Sequence, residues 1–246
     1  MSAYRQSPLA NIPPVVKNLL ILNIICFIPT VLFSHGDSDP IASLLGGYYF
    51  NSPLFRLWQP ITYMFIHGGW QHILFNMIAL FFFGPIVEHT LGSKRFLNFY
   101  IICGLGAIAM QWGVQAYELH ALTGHFTAPI TAANLRSEEF YISNYGANAA
   151  KIYEIYAVPI VGASGAIFGV MAAMAMLYPN LEMMLLFFPV PIKAKYFIPL
   201  YVLFELWAGV FQSAGDQVAH FAHIGGALFG FIMIKMWHPK RPNNFF

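Results

Sequence analysis

Gly162-Ala163-Ser164-Gly165-Ala166-Ile167-Phe168-Gly169 sets one hydroxyl among glycines inside a long apolar run. Upstream, Pro159 and Gly162 discourage a helix. Downstream, Ala166 to Leu177 reads as one unbroken helix. Ser164 therefore falls at or near a helix N-terminus, where free backbone N–H groups favour developing negative charge. A serine nucleophile also needs a base and an oxyanion hole. Two other apolar segments carry those residue types: His223 in Ala222-His223-Ile224-Gly225-Gly226, and His72 with Asn76 in His72-Ile73-Leu74-Phe75-Asn76.

The composition decides where such a helix resides. Of 246 residues, 58% are hydrophobic and only 9% charged, with a mean hydropathy of +0.61. A chain so poor in polar groups cannot cover a water-facing surface, so a soluble domain is excluded and a polytopic membrane protein is expected. Cys26 and Cys103 lie in apolar runs without metal-ligand spacing, and no disulfide is expected from them. No cofactor, metal or nucleic-acid partner is expected. No cleavable signal is evident, because the first apolar run has no small-residue cleavage site after it.

Working outward from Ser164 gives six spans, an all-α membrane bundle. They cover roughly 16–34, 70–90, 95–116, 164–178, 196–213 and 218–237. The fourth would be about 22 Å long at 1.5 Å per residue, short of the roughly 30 Å hydrocarbon core. Ser164 then lies below the membrane surface, with the preceding residues dipping in as non-helical chain; such backbone is tolerated only where it is buried in protein or lines a water-filled cavity. The connection from His35 to about Gly69 is rich in aromatics, among them Tyr48, Tyr49, Trp58 and Tyr63, which suits an interfacial segment. In domain terms, residues 1–15 are a tail, 16–237 the six-span core, 117–157 a polar insertion outside the membrane and 238–246 a second tail.

Charge sets the orientation. With six spans, Arg5, Lys17, Lys94, Arg95, Lys193, Lys195, Lys235, Lys240 and Arg241 share the side of the termini, while Arg56, Arg136 and Lys151 lie opposite. Nine against three makes the termini cytoplasmic by the positive-inside rule and faces Ser164 outward.

Each motif has a plainer reading. Gly165-x-x-x-Gly169 and Gly226-x-x-x-Gly230 are also helix-packing faces, and the strand–turn–helix serine elbow of soluble hydrolases is not matched. His72 and Asn76, at i and i+4, can converge on one point or act as interhelical glue. His220 is a rival base to His223, which is favoured because it sits deeper between small residues. Glu205, an acid deep in a span, reads as the partner of a donor on a neighbouring helix. Glu88, near Gly92-Ser93, reads as a loop organiser.

Together these residues resemble the rhomboid intramembrane serine proteases over nearly the whole six-span core. His67-x4-His72-x3-Asn76 is similar to the family's second-helix motif, Gly162-Ala163-Ser164-Gly165 to its nucleophile motif, and Ala222-His223-Ile224-Gly225-Gly226 to its base motif. Glu88-x3-Gly92-Ser93 and Pro189-x-Pro191-Ile192-Lys193 also look familial.

The resemblance implies Ser164 as nucleophile and His223 as base, a dyad without an acid. It implies an oxyanion hole from the Ser164 N–H, His72 and Asn76, and a structural role for His67. Gly162 and Gly165 would support the nucleophile. Gln59 stands where many members carry arginine. Phe168 stands where tyrosine is frequent; it can stack on His223 without donating a hydrogen bond. The implied function is endoproteolysis of transmembrane protein substrates in a lipid bilayer, in a bacterial inner membrane with the site open to the extracytoplasmic side. A rhomboid-like non-protease that escorts clients and a small transporter are the alternative classes.

Overall fold

Most of the apolar runs become helices, and the chain is mostly helical. The computed structural model describes residues 12–34, 39–185, 188–211 and 218–239. Arg5, Lys240, Arg241, most of both tails and the connection 212–217 lie outside the described residues. In chain order, α1 is Pro14–Phe33; α2 (Pro40–Leu45) and α3 (Gln59–Thr62) lie in the first connection. Next come α4 (Trp70–Leu91), α5 (Ser93–Thr123), α6 (Glu138–Tyr145) and α7 (Ala149–Ala157). Then follow α8 (Ser164–Leu177), β1 (Glu182–Leu185), β2 (Phe188–Lys193), α9 (Ala194–Val210) and α10 (His220–Trp237).

Among the described residues, α1, α4 and α5 are long and apolar enough to cross a membrane. Their outer faces are apolar too. Ile21, Ile24, Ile25 and Ile28 on α1, Phe81 and Phe82 on α4, and Leu200, Leu203 and Trp207 on α9 are all exposed. An uncovered belt of this kind is far larger than a soluble monomer shows and suits contact with lipid. α8, the shorter apolar helix, is about 21 Å long at its 14 residues. It is buried along nearly its whole length and packs against α4, α5, α9 and α10.

Glycines set the closest of these approaches. A Cβ on Gly230 would stand 2.6 Å from the carbonyl oxygen of Gly169, and one on Gly226 would overlap that of Gly165. α8 and α10 therefore touch backbone to backbone along the two glycine pairs read from the sequence.

Two elements depart from the sequence reading. The chain is mostly helical, but the all-α expectation did not include the antiparallel hairpin of β1 and β2, paired in register from Glu182↔Lys193 to Met184↔Pro191 and shifted before Leu185↔Phe188. Pro189 and Pro191 lack N–H groups and have a fixed φ, so this apolar run cannot become a helix. The third helix also runs on to Thr123, well past the expected end near 116, and stops at Gly124 with φ 76°. The polar stretch expected as an insertion over 117–157 thus opens in helix. It has its own core, in which Leu119, Ile130, Leu135, Tyr141, Ile152 and Tyr156 enclose Tyr49 of the first connection. Burial pushes the Tyr156 phenol up to about 12, so it stays neutral. It both donates to Asn51 Oδ1 (2.8 Å) and accepts from the Ala128 N–H (2.7 Å).

Glu88 organises more than its own loop. Its carboxylate accepts the N–H groups of Val15 (3.0 Å) and Val16 (2.7 Å) at the open end of α1, and the Ser93 hydroxyl (2.7 Å) at the start of α5. Glu88→Ala leaves these donors unpaired. It is expected to cost on the order of 2–3 kcal/mol, since bonds to a charged acceptor are each worth about 1.5–3 kcal/mol. Denaturant unfolding in detergent would show this as an earlier midpoint; an unchanged midpoint would contradict the capping role.

Candidate active site

The structure brings the serine and one histidine together at the glycine-lined seam. Ser164 is the first residue of α8, and the bond from the Ile167 N–H to the Ala163 carbonyl (3.0 Å) opens the helix around it. Upstream, α7 ends at Ala157 and the chain from Val158 to Ala163 is non-helical, as Pro159 and Gly162 require. His223 lies in the first turn of α10. Its Nε2 is 2.8 Å from Ser164 Oγ. Phe168, one turn after the serine, stacks on the imidazole at 4.4 Å with planes 7° apart and fixes the ring's tilt.

His220, the rival base, is not on the serine. Its Nδ1 lies 2.7 Å from Glu205 Oε2. The same oxygen lies 2.8 Å from Nδ1 of His223. Glu205 thus has two donors on the neighbouring helix rather than one, and its carboxylate stands behind the serine–histidine pair. The signal was in the sequence: an acid deep in a span must find donors, and α10 brings two histidines one turn apart.

His72 reaches the same region from α4. Its Nδ1 accepts a long bond from the Gly68 N–H (3.4 Å), which leaves Nε2 as the protonated nitrogen. That Nε2 faces Gly162, where an added Cβ would stand 2.6 Å from it and 3.6 Å from Ser164 Oγ. Gly162 has φ 124°, a conformation L side chains rarely adopt, and its N–H donates to the Tyr63 carbonyl (2.9 Å). Glycine is thus required there twice over, by conformation and by space. Asn76 lies one turn after His72 on the same helix face and is buried. Its Nδ2 has no partner among the described residues. Gly165 faces Ala107, Tyr63 and the Ala222 carbonyl, so it holds the α5–α8–α10 contact rather than touching the reacting atoms.

His67 is fully buried and stands edge-on to the His72 ring, with centroids 5.1 Å apart. Burial, helped by His72 beside it, pushes its imidazole down to about 3, so it packs as a neutral ring. Gln59 anchors the first connection as a buried amide. Its Oε1 accepts the Arg56 N–H (2.9 Å) and its Nε2 donates to the Leu54 carbonyl (3.0 Å).

Residues 54–240 match the family model of the Rhomboid domain. Among curated relatives, an uncharacterized mitochondrial rhomboid protein of Schizosaccharomyces pombe is 28% identical over 74% of this chain and 52% of its own length. The rhomboid protease AarA of Providencia stuartii is 27% identical over 86% of this chain and 68% of its own. The rhomboid protease GlpG of Haemophilus influenzae is 31% identical over 41% of this chain and 50% of its own. This chain thus spans about half the length of the fission-yeast relative.

The geometry separates the two histidines and tests the glycine. His223→Ala is expected to lose activity toward a transmembrane substrate, whereas His220→Ala keeps it within about tenfold, because only the first touches the serine. The reverse ranking would reassign the base. Gly162→Ala should cost at least about tenfold in kcat, since strain of roughly 1–3 kcal/mol at this position displaces His72. Unchanged turnover in a folded Gly162→Ala protein would show that His72 does not depend on this backbone.

Proposed function

The chain belongs to the rhomboid family, and on that premise we propose that it is an intramembrane serine endopeptidase acting in or near transmembrane segments of other proteins. The observation that carries this reading is the 2.8 Å part-buried contact between Ser164 Oγ on α8 and His223 Nε2 on α10. A hydroxyl and an imidazole at hydrogen-bond distance are what an activated nucleophile requires.

In the proposed reaction Ser164 Oγ attacks the scissile carbonyl carbon and its proton passes to His223 Nε2. The carbonyl oxygen becomes an oxyanion, received by the Ser164 N–H, the His72 Nε2–H and the Asn76 amide. Collapse breaks the C–N bond, and His223 returns the proton to the departing amine. Water then attacks the acyl-enzyme with His223 again as base, releasing the acid and restoring Ser164. The substrate must present an unpaired carbonyl, so locally unstable transmembrane helices are the expected class. A helix bonded to itself offers none.

The arrangement in the membrane belongs to the same proposal. α1, α4, α5, α8, α9 and α10 are taken as six spans, residues 16–237 as the core and both termini as cytoplasmic. The insertion around 117–157 and Ser164 then lie toward the extracytoplasmic side of a bacterial inner membrane. Support comes from the nine-to-three partition of Lys and Arg. It also comes from the short α8, 14 residues against the 20, 22 and 31 of α1, α4 and α5.

Two measurements check this. His72→Ala and Asn76→Ala are each expected to lower kcat by on the order of 10- to 10³-fold with little change in KM, because donors to the oxyanion act in the transition state. A raised KM at unchanged kcat would make them substrate-binding groups. For orientation, cysteines placed at Asn134 and at Ser93 in a background lacking Cys26 and Cys103 can be probed on intact cells with an impermeant maleimide. Labelling is expected at 134 alone; labelling at 93 alone would invert the topology.

A further inference from the structure

We propose that Glu205 is a positioning residue for the reaction, holding His223 in the one tautomer that can accept the serine proton and stabilising the imidazolium that forms. This rests on the peptidase reading and extends it beyond the serine–histidine pair that the family resemblance implies.

One carboxylate oxygen serves both histidines. Glu205 is 3% exposed, on the face of α9 packed against α10. Its Oε2 lies 2.8 Å from His223 Nδ1 and 2.7 Å from His220 Nδ1. A neutral imidazole has one N–H and one bare nitrogen, and a carboxylate can only accept. Nδ1 of His223 is therefore the protonated nitrogen, and Nε2 carries the lone pair. That lone pair is directed at Ser164 Oγ, 2.8 Å away. The other tautomer would set an N–H against the serine and leave Nδ1 bare against a negative oxygen. When Nε2 takes the serine proton, the new positive charge lies beside a buried negative one, where attraction is strong.

His220 completes the arrangement. A buried carboxylate without enough donors is costly. The second Nδ1–H fills another lone pair of the same oxygen and keeps the carboxylate where His223 needs it. The proton stays on Nδ1 throughout; the carboxylate orients and stabilises but takes nothing.

The same three residues have the make-up of a metal site, with candidate ligand atoms all within 4.8 Å of one another. Distances decide between the readings. Ligands bound at about 2.0–2.1 Å around a tetrahedral ion stand roughly 3.3 Å from each other. Separations of 2.7 and 2.8 Å are hydrogen-bond lengths instead.

The test uses the full chain in detergent, with kcat and KM measured on a labelled transmembrane peptide for wild type, Glu205→Gln, Glu205→Asp and Ser164→Ala. Glutamine keeps the shape but puts an acceptor-plus-donor amide against Nδ1. It is expected to lower kcat by about 10²–10⁴-fold with KM within about threefold, as for the orienting acid of soluble serine proteases. Glu205→Asp should recover about tenfold or more of that loss, because it restores a carboxylate. Glu205→Gln at wild-type kcat, or a change confined to KM, would overturn the proposal.

Should Glu205→Gln not fold, nitrogen-15 spectra of histidine-labelled wild type decide the matter. The histidine whose signals move when Ser164 is phosphonylated is expected to carry its proton on Nδ1; a proton on Nε2 would overturn the proposal. A wild type that does not cleave, or an active Ser164→Ala, removes the peptidase reading and this inference with it. Active wild type, dead Ser164→Ala and unimpaired Glu205→Gln remove this inference alone.

Discussion

A hydrogen bond of 2.8 Å between side chains on two different helices needs two backbones held very close together. Serine is among the shortest polar side chains, so ordinary apolar residues at the contact would hold His223 out of reach. The rest of the bundle depends on meeting this constraint. Gly165 and Gly169 on α8 meet Gly226 and Gly230 on α10 with no room for a Cβ. Cys103 and Ala107 of α5 close the third side of the same seam. In lipid, where apolar side chains gain little by leaving the solvent, such close van der Waals packing is what holds helices together. The packing that stabilises the bundle and the approach that builds the candidate site are therefore one feature.

The remaining elements hold parts of the site at that seam. Glu88 ties the start of α1 to the junction of α4 and α5. Tyr63 accepts from the Gly162 N–H and donates its hydroxyl to the Gly104 carbonyl at 2.6 Å, linking the first connection to the serine loop and to α5. The insertion adds a second anchor. Its small core grips Tyr49, the Ser52 hydroxyl donates to the Tyr156 carbonyl at 2.6 Å, and Gly47 pairs with Ile160 just before the serine loop. The loop carrying Gly162 is thus fixed from both ends, which suits a backbone held at φ 124°.

Much of this was legible in the residues because the membrane restricts what a polar group can be doing. Ser164 and His223 stand out as polar groups among small residues in apolar runs, and they meet. The boundaries of α1, α4, α8 and α10 follow from hydropathy, proline and glycine. The hairpin of β1 and β2 did not follow. Its residues are as apolar as those of the helices, and only Pro189 and Pro191 distinguish it. The length of α5 was hidden because its last turns are polar, and a hydropathy reading stops where the lipid would. Glu205 could be assigned a donor on another helix but not which one. His220 and His223 are chemically equivalent in sequence, and only the packing of α9 on α10 puts both on one oxygen. The small residues around His223 favoured it as the base, and its Nε2 is the imidazole nitrogen found on the serine.

The most direct test of the account is whether Ser164 is a chemically activated hydroxyl. Folded protein in detergent can be treated with a fluorophosphonate and the labelled peptides mapped by mass, using wild type and His223→Ala side by side. An ordinary serine barely reacts with such a reagent; covalent capture needs a base within about 2.6–3.2 Å and donors for the phosphonyl oxygen. The account predicts label on Ser164 of wild type and none on His223→Ala. Label on another residue of a protein that cleaves its substrate, or label on Ser164 that persists without His223, would contradict it.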